Sequence, residues 1–108
     1  MTNTDLKDSS VIRIDNLKID KKSRRIFFHD TEITFTNKEF DLLATLAENP
    51  DTVFTKEDLL SKIWNYDSMG DTSTVTVHIN RVREKLFAVD NNVELINTVW
   101  GKGYRFNK

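Results

Sequence analysis

The sequence predicts an α+β domain in which four short strands precede three helices and a final pair of strands. Three observations carry this prediction. Short apolar groups alternate with turn residues over 11–35, and from residue 36 onward the apolar residues recur with a helical period. A third is a Gly-Lys-Gly turn between two short apolar stretches near the C-terminus. The chain of 108 residues has the length of one domain. Because residues 1–10 are polar and aperiodic, we expect a flexible linker remnant there and the folded domain over 11–108.

The N-terminal apolar groups predict an antiparallel meander. They lie at 11–14, 17–20, 25–28 and 32–35, and the segments between them are rich in Asp, Asn, Lys and Ser. Strands of about four residues joined by tight turns pair with their neighbours in chain order.

The first helix is predicted from a capping box at Thr36 and Glu39. In this motif the threonine hydroxyl accepts from the glutamate amide, and the glutamate carboxylate accepts from the threonine amide. Phe35 before the cap and Phe40 in the first turn supply a hydrophobic staple. Pro50 disfavours helix in the residue before it, so the helix should end near 49.

The same start signal predicts the second helix. Thr55 and Asp58 have the capping-box spacing, and Phe54 and Leu59 occupy the staple positions. Both helices should pack against a third one through a shared apolar core. The residues expected in that core are Phe40, Leu43, Leu59, Ile63, Val75, Ile79, Val82 and Leu86.

The third helix is predicted over about 72–86, with Asp71 or Thr72 as its N-cap. Its core residues from Val75 to Leu86 are spaced by four, three and four positions and form one stripe. The opposite face combines short hydrogen-bonding side chains, an exposed valine and two arginines, a set that suits base edges and phosphates in a major groove. The same set also suits a solvated helix face, and the helix alone does not decide between the two.

The C-terminal stretches 94–99 and 104–106 predict a hairpin whose turn is 100–103. Lys102 lies at its tip, and the glycines permit close approach of the backbone to phosphates, so the turn can follow a minor groove. A plain hairpin is the alternative.

The charge distribution shows where the basic residues lie, and the composition excludes several kinds of functional site. The net charge is −1, but residues 1–71 carry −4 and residues 72–108 carry +3, which places the basic charge on the third helix and the hairpin. The absence of cysteine excludes thiolate metal sites and cysteine nucleophiles, and the two histidines lack partners at metal-ligand spacing. We therefore expect neither an enzyme nor a cofactor. The sequence has no signal-peptide layout, so a cytoplasmic location is expected.

Four segments of the chain carry a resemblance to a known family. They are 33–43, 54–64, Thr74-Val-Thr-Val-His-Ile-Asn-Arg-Val-Arg-Glu-Lys-Leu86, and Ile96-Asn-Thr-Val-Trp-Gly-Lys-Gly-Tyr-Arg-Phe106. Together they resemble the C-terminal effector domain of OmpR/PhoB-type response regulators, a winged helix-turn-helix. The resemblance covers about 11–107, and the ending around 98–104 is similar to the VanR-type branch.

The resemblance implies that the helix over about 72–86 is a recognition helix for the major groove and that the hairpin over about 95–106 is a wing near the minor groove. Thr74 and Arg83 are then expected mainly on phosphates, and Trp64 on a phosphate through its indole N–H. The full set of DNA-binding residues that it implies is Trp64, Ser73, Thr74, Thr76, Val77, His78, Asn80, Arg81, Arg83, Lys102 and Tyr104.

The chain departs from the family pattern at two positions. Ser73 replaces an arginine that often binds phosphate, and Trp100 replaces an arginine that often enters the minor groove. Because tryptophan cannot enter a narrow groove as arginine does, Lys102 is expected to carry more of the wing contact.

The resemblance also implies partners. These are duplex DNA in tandem direct repeats, RNA polymerase through the loop 65–71, and, in a full-length protein, a receiver domain and a sensor kinase. The sequence contains no receiver domain, so we expect an excised effector domain. The alternative is a winged helix that binds another protein, which the Thr, Asn and Arg composition of the outward face disfavours.

Overall fold

The computed structural model describes residues 10–64 and 71–107. Its strands are β1 (Val11–Ile14), β2 (Leu17–Asp20), β3 (Arg25–Phe28), β4 (Thr31–Ile33), β5 (Val53–Phe54), β6 (Ile96–Val99) and β7 (Gly103–Phe106). Its helices are α1 (Asn37–Glu48), α2 (Lys56–Trp64) and α3 (Ser73–Val89). The expected linker remnant over 1–10 and the expected polymerase loop over 65–71 lie almost wholly outside the described residues. No helix within the described part has the length and apolar character needed to cross a bilayer.

The N-terminal sheet is the predicted meander, with strand order β1-β2-β3-β4. The turn between β3 and β4 is formed by His29 and Asp30, which both have positive φ, as a two-residue type I′ hairpin requires. The fourth strand was expected at 32–35 but lies at Thr31–Ile33. The pairing stops where Ile33 meets Ile26, and the chain then leaves the sheet toward the first helix cap.

Both capping boxes are confirmed. The amide of Glu39 donates to Thr36 Oγ1 at 3.2 Å, and the amide of Thr36 donates to Glu39 Oε1 at 3.0 Å. At the start of α2 the amide of Asp58 donates to Thr55 Oγ1 at 2.9 Å, and the amide of Thr55 donates to Asp58 Oδ2 at 3.2 Å. Each reciprocal pair satisfies two backbone donors at a helix start, which explains why these boundaries follow from local sequence.

α3 begins where the sequence predicts and ends later than predicted. Thr72 occupies the N-cap position without a side-chain bond, and Asp71 Oδ1 accepts the amide of Ser73 at 3.0 Å instead. The helix continues to Val89, past the predicted end near 86, and the amide of Asp90 donates to the carbonyl of Leu86. No Gly or Pro interrupts 86–89, so the helix ends only at the turn-forming residues that follow.

The C-terminal sheet contains a strand that the sequence did not predict. β5 pairs with β7 through Val53↔Arg105 and Phe54↔Tyr104, which gives the order β5-β7-β6. The hairpin strands also have adjusted ends, because β6 begins at Ile96 and β7 at Gly103. A Cβ on Gly103 would lie 1.9 Å from the carbonyl oxygen of Phe54, so only glycine permits this approach of β7 to β5.

One core joins the three helices and the two sheets. All eight residues expected in it are buried, and Leu59, Val75, Ile79 and Val82 have no exposed surface. The core also buries one charged residue, Glu39, whose Oε1 accepts from Lys85 Nζ at 2.6 Å. This ion pair links the start of α1 to α3.

Candidate nucleic-acid interface

The face of α3 opposite the core is open to solvent as predicted. Ser73, Val77, Asn80 and Arg81 are exposed, and Val77 retains 45% of its surface. Thr74, Thr76, His78 and Arg83 are half-buried at the edges of this face. The helix therefore presents hydroxyl, methyl, amide and guanidinium groups side by side, whereas its core stripe faces the other helices.

Trp64, at the end of α2, packs against α3 through a histidine. The rings of Trp64 and His78 meet edge to face with centroids 4.9 Å apart. His78 Nδ1 lies 2.8 Å from the carbonyl oxygen of Thr74, so Nδ1 carries the proton that it donates. This contact fixes the relative position of the two helices of the helix-turn-helix unit.

Lys38, which sequence reasoning missed, also contacts the end of α2. Lys38 Nζ donates to the carbonyl of Ile63 at 2.8 Å and lies 5.8 Å from the centroid of the Trp64 ring. A cation at the C-terminal end of α2 satisfies one of its unpaired carbonyls. Lys38 precedes Ile63 by 25 positions in the chain, and no local pattern connects the two.

The wing tip is a tight turn. The amide of Lys102 donates to the carbonyl of Val99 at 2.9 Å, and Gly101 has a φ of +76°, as the third residue of a type II turn does. Lys102 is exposed, and Trp100 keeps 89% of its surface. The turn therefore extends a cation and an aromatic ring away from the body of the domain.

Tyr104, by contrast, is only 4% exposed. Its hydroxyl donates to Thr76 Oγ1 across 3.4 Å, a long bond that connects β7 to α3. The structure thus places Tyr104 inside the junction of wing and helix and not on the outer surface.

The guanidinium group of Arg83 forms hydrogen bonds with β6. Its Nε and Nη2 donate to the carbonyl of Ile96 at 3.2 and 2.9 Å, and Nη2 also donates to Thr98 Oγ1 at 2.7 Å. Its guanidinium carbon lies 5.7 Å from the centroid of the Tyr104 ring. The expected phosphate contact of Arg83 stays a prediction.

A cleft of about 540 Å³ separates α3 from the wing. Thr76, Asn80 and Arg83 line it on the helix side, Trp100 and Lys102 line it on the wing side, and Lys56 and Glu57 line it from the start of α2. Lys56 was also missed, because its position in a first helical turn gives no sign of what it faces. Five of the eleven expected DNA-binding residues line the cleft, namely Thr76, Asn80, Arg83, Lys102 and Tyr104.

Charges of both signs lie on this side of the domain. Arg81 and Lys102 are exposed and belong to the C-terminal part of the chain, which is positive on balance. The amide of Ser73 donates to the Asp71 carboxylate and lowers the pKa of Asp71, so this carboxylate stays ionised at the helix start. In the described residues no three His, Cys, Asp or Glu side chains form a metal-binding group.

Comparison with known proteins decides the family. Residues 30–106 match the family described as "Transcriptional regulatory protein, C terminal". The chain belongs to this family of OmpR/PhoB-type effector domains. It is accordingly the DNA-binding domain of a transcriptional response regulator.

Individual relatives agree with this membership. The chain is 42% identical over 97 residues to the transcriptional regulatory protein SrrA of Staphylococcus aureus, a match covering 89% of this chain and 40% of SrrA. This effector domain thus spans about 40% of the length of that relative.

Solved structures of effector domains show the same fold. The RstA DNA-binding domain of Klebsiella pneumoniae, solved in complex with the RstA box, superposes with a TM-score of 0.80 at 28% identity, covering 90% of this chain and 96% of that one. The response regulator DrrB of Thermotoga maritima, an OmpR/PhoB homolog, has a TM-score of 0.82 at 31% identity, covering 96% and 47%. The predicted winged helix-turn-helix is confirmed.

Proposed function

We propose that this effector domain reads duplex DNA with α3 in a major groove and the wing beside the adjacent minor groove. The observation that carries the proposal is the exposed, mixed face of α3 directly across the cleft from a cationic wing tip. A major groove admits an α-helix, and its base edges require donors, acceptors and a methyl-sized apolar contact.

Base readout is assigned to the middle of α3. The Asn80 amide suits adenine, the Arg81 guanidinium suits guanine, and the exposed Val77 suits a thymine methyl. Thr76, at the edge of this face, can approach a base or a phosphate through its hydroxyl.

Phosphate contacts are assigned to the ends of the interface. Ser73 and Thr74 lie in the first turn of α3, where each can offer its side-chain hydroxyl to a phosphate. Trp64, held by His78, can offer its indole N–H, and Lys38 adds a cation beside it. Lys102 supplies the contact at the wing, where Trp100 stands in place of the arginine common in the family.

The partners follow from the family. RstA was solved bound to its own DNA box, and we infer that this domain likewise binds specific sites, as tandem copies on direct repeats. A single small module buries too little surface for tight binding, so a site with two repeats should bind more tightly than a site with one. We further propose that a receiver domain and a sensor kinase control the full-length protein, that the loop 65–71 contacts RNA polymerase, and that the protein works in the cytoplasm.

Selection of bound sites from random duplex DNA tests the function. We expect a defined sequence to be enriched, and affinity for it to fall steeply with salt because phosphate contacts release counterions. A protein-interaction module of the same fold would enrich no sequence and would show no steep salt dependence on DNA. Comparing one and two copies of the enriched site at equal salt then tests tandem binding, and equal affinity for both would contradict it.

A further inference from the structure

We propose that Arg83 is a positioning residue that locks the wing onto the recognition helix. The inference rests on the proposed DNA-reading function, because it states what fixes the distance between the two elements that contact DNA. It is carried by the hydrogen bonds of the guanidinium to both the backbone and a side chain of β6.

The first contact is with a backbone carbonyl at the unpaired edge of the C-terminal sheet. β6 is an edge strand, since the order is β5-β7-β6. The carbonyl of Leu95 accepts from the amide of Asn107 and so faces β7, and the next carbonyl, that of Ile96, faces the opposite way. Arg83 Nε and Nη2 both donate to this outward carbonyl. The guanidinium thus occupies a place where a further strand would otherwise pair.

Arg83 makes two further contacts with the wing, one with Thr98 and one with the Tyr104 ring. Nη2 donates to Thr98 Oγ1, one residue before the end of β6, and the guanidinium lies near the face of the Tyr104 ring on β7. Tyr104 in turn donates to Thr76 on α3. Arg83 therefore connects β6 to α3, and Tyr104 connects β7 to α3 at a second position along the helix.

These ties matter because the wing is small. β6 has four residues and pairs with β7 alone, whereas β7 is also paired with β5 through Val53 and Phe54. Trp100 and Lys102 lie just beyond Thr98 at the tip, so the lock sets how far they stand from Thr76 and Asn80 across the cleft. A preorganised wing avoids the loss of conformational freedom that binding would otherwise cost.

These contacts use the Nε donor and both Nη2 donors of Arg83 and leave the two donors of Nη1. Turning Nε or Nη2 to a phosphate would leave the Ile96 carbonyl and the Thr98 hydroxyl without their donor, so the lock restricts any phosphate contact of Arg83 to Nη1. Arg81, two positions earlier, is exposed and has no hydrogen-bond or ion-pair partner among the described residues, so its whole guanidinium is available to DNA.

The decisive variant is Arg83→Lys, which keeps the positive charge but loses the planar fork. Affinity for the selected duplex is measured across a salt series for wild type, Arg83→Lys, Arg83→Ala and Lys102→Ala. We expect Arg83→Lys to weaken binding about tenfold, close to the effect of Arg83→Ala, with the salt slope unchanged. The double variant Arg83→Lys with Lys102→Ala should lose less binding free energy than the two single variants lose in sum. Once the wing is no longer held in place, Lys102 contributes little to binding.

The opposite result identifies an anchor. If Arg83→Lys bound like wild type, and Arg83→Ala lowered the salt slope by about one, Arg83 would be a phosphate contact and the proposal would be overturned. Thr98→Val serves as a charge-neutral companion, since it removes one acceptor of the lock and should weaken binding in the same direction by a smaller factor.

Amide hydrogen exchange of the free protein separates this proposal from the proposed function. In Arg83→Lys the amides of β6 and β7 should exchange faster, whereas those of β1–β4 should not change, which also shows that the variant folds. Unchanged exchange in the wing would contradict the lock even if the wild type bound DNA. A wild type that selected no duplex would refute the DNA-reading function, and the exchange data would still decide whether Arg83 holds the wing.

Discussion

The two sheets of this domain are both antiparallel, yet they assemble in different ways. β1 to β4 pair in chain order through short turns. In the other sheet the central strand is β7, and its neighbour β5 precedes it by two helices. The pairings of the N-terminal sheet are all local, whereas the β5–β7 pairing of the C-terminal sheet joins segments that two helices separate in the chain.

The two sheets also support different halves of the recognition helix. On the N-terminal side, His29 Nε2 lies 2.8 Å from Oδ2 of Asp90, the residue that caps the end of α3. On the C-terminal side, Tyr104 and Arg83 hold the middle of α3, next to Asn80 and Arg81. The half of the helix that is assigned to reading DNA therefore contacts the sheet that contains the non-local pairing.

The largest expected effect comes from breaking the C-terminal sheet with Gly103→Ala. The new Cβ would meet backbone atoms of Phe54 and Thr55, which cannot move aside without separating β5 from β7. We expect a loss of roughly 3–5 kcal/mol in the free energy of unfolding, measured by urea denaturation. Gly101→Ala is the matched control, because nothing lies within 4 Å of its Cβ and only its positive φ opposes the change, at about 1–2 kcal/mol. Equal losses for the two variants would show that β5 does not approach β7 so closely.

A smaller effect is expected at the ion pair between α1 and α3. Lys85→Met leaves the buried Glu39 with the Thr36 amide alone, and we expect a loss of about 1–3 kcal/mol. Burial raises the pKa of Glu39, but the hydrogen bonds from Lys85 and Thr36 outweigh burial and lower the pKa overall. The stabilisation is therefore present above the ordinary pKa and is lost as pH falls below about 4.5.

Urea denaturation of wild type and Lys85→Met at several pH values checks this sign. The two unfolding free energies should differ most near neutral pH and converge in acid. A difference that grows in acid would contradict the assignment. Glu39→Gln is the companion variant, because it removes the titrating group and leaves the rest of the capping box in place.

The smallest effect is expected on the outer face of the N-terminal sheet. Arg25 and Glu32 form a bidentate pair across β3 and β4, with bonds of 3.0 and 2.8 Å, and the hydrogen bond from Arg25 lowers the pKa of Glu32. Both side chains are exposed, so solvent and salt screen the pair. Glu32→Gln should leave the thermal midpoint and the DNA affinity unchanged within error. A clear drop in either would mean that this sheet contributes more to the interface than its position suggests.

The contrast between the sheets also explains what the sequence could predict. The first three strands, the two capping boxes and the core stripe of α3 depend on residues a few positions apart, and their predictions are confirmed. β5 was missed because two residues show no periodicity, and only the partner strand far along the chain defines it. The contacts of Lys38 and the bonds of Arg83 to β6 were missed for the same reason, because their partners are distant in the sequence. Sequence reasoning found the outward face of α3 but could not see which of its arginines the protein already uses.

Arg81→Ala tests most directly whether α3 reads bases. The measurement is the affinity of wild type and variant for the selected duplex and for a scrambled duplex, across a salt series. Loss of a bidentate base contact should cost about 1–3 kcal/mol on the selected duplex and clearly less on the scrambled one, whereas Lys102→Ala should weaken both alike. If Arg81→Ala weakened both duplexes equally and lowered the salt slope by about one, Arg81 would be a phosphate anchor, and base readout by this residue would be refuted.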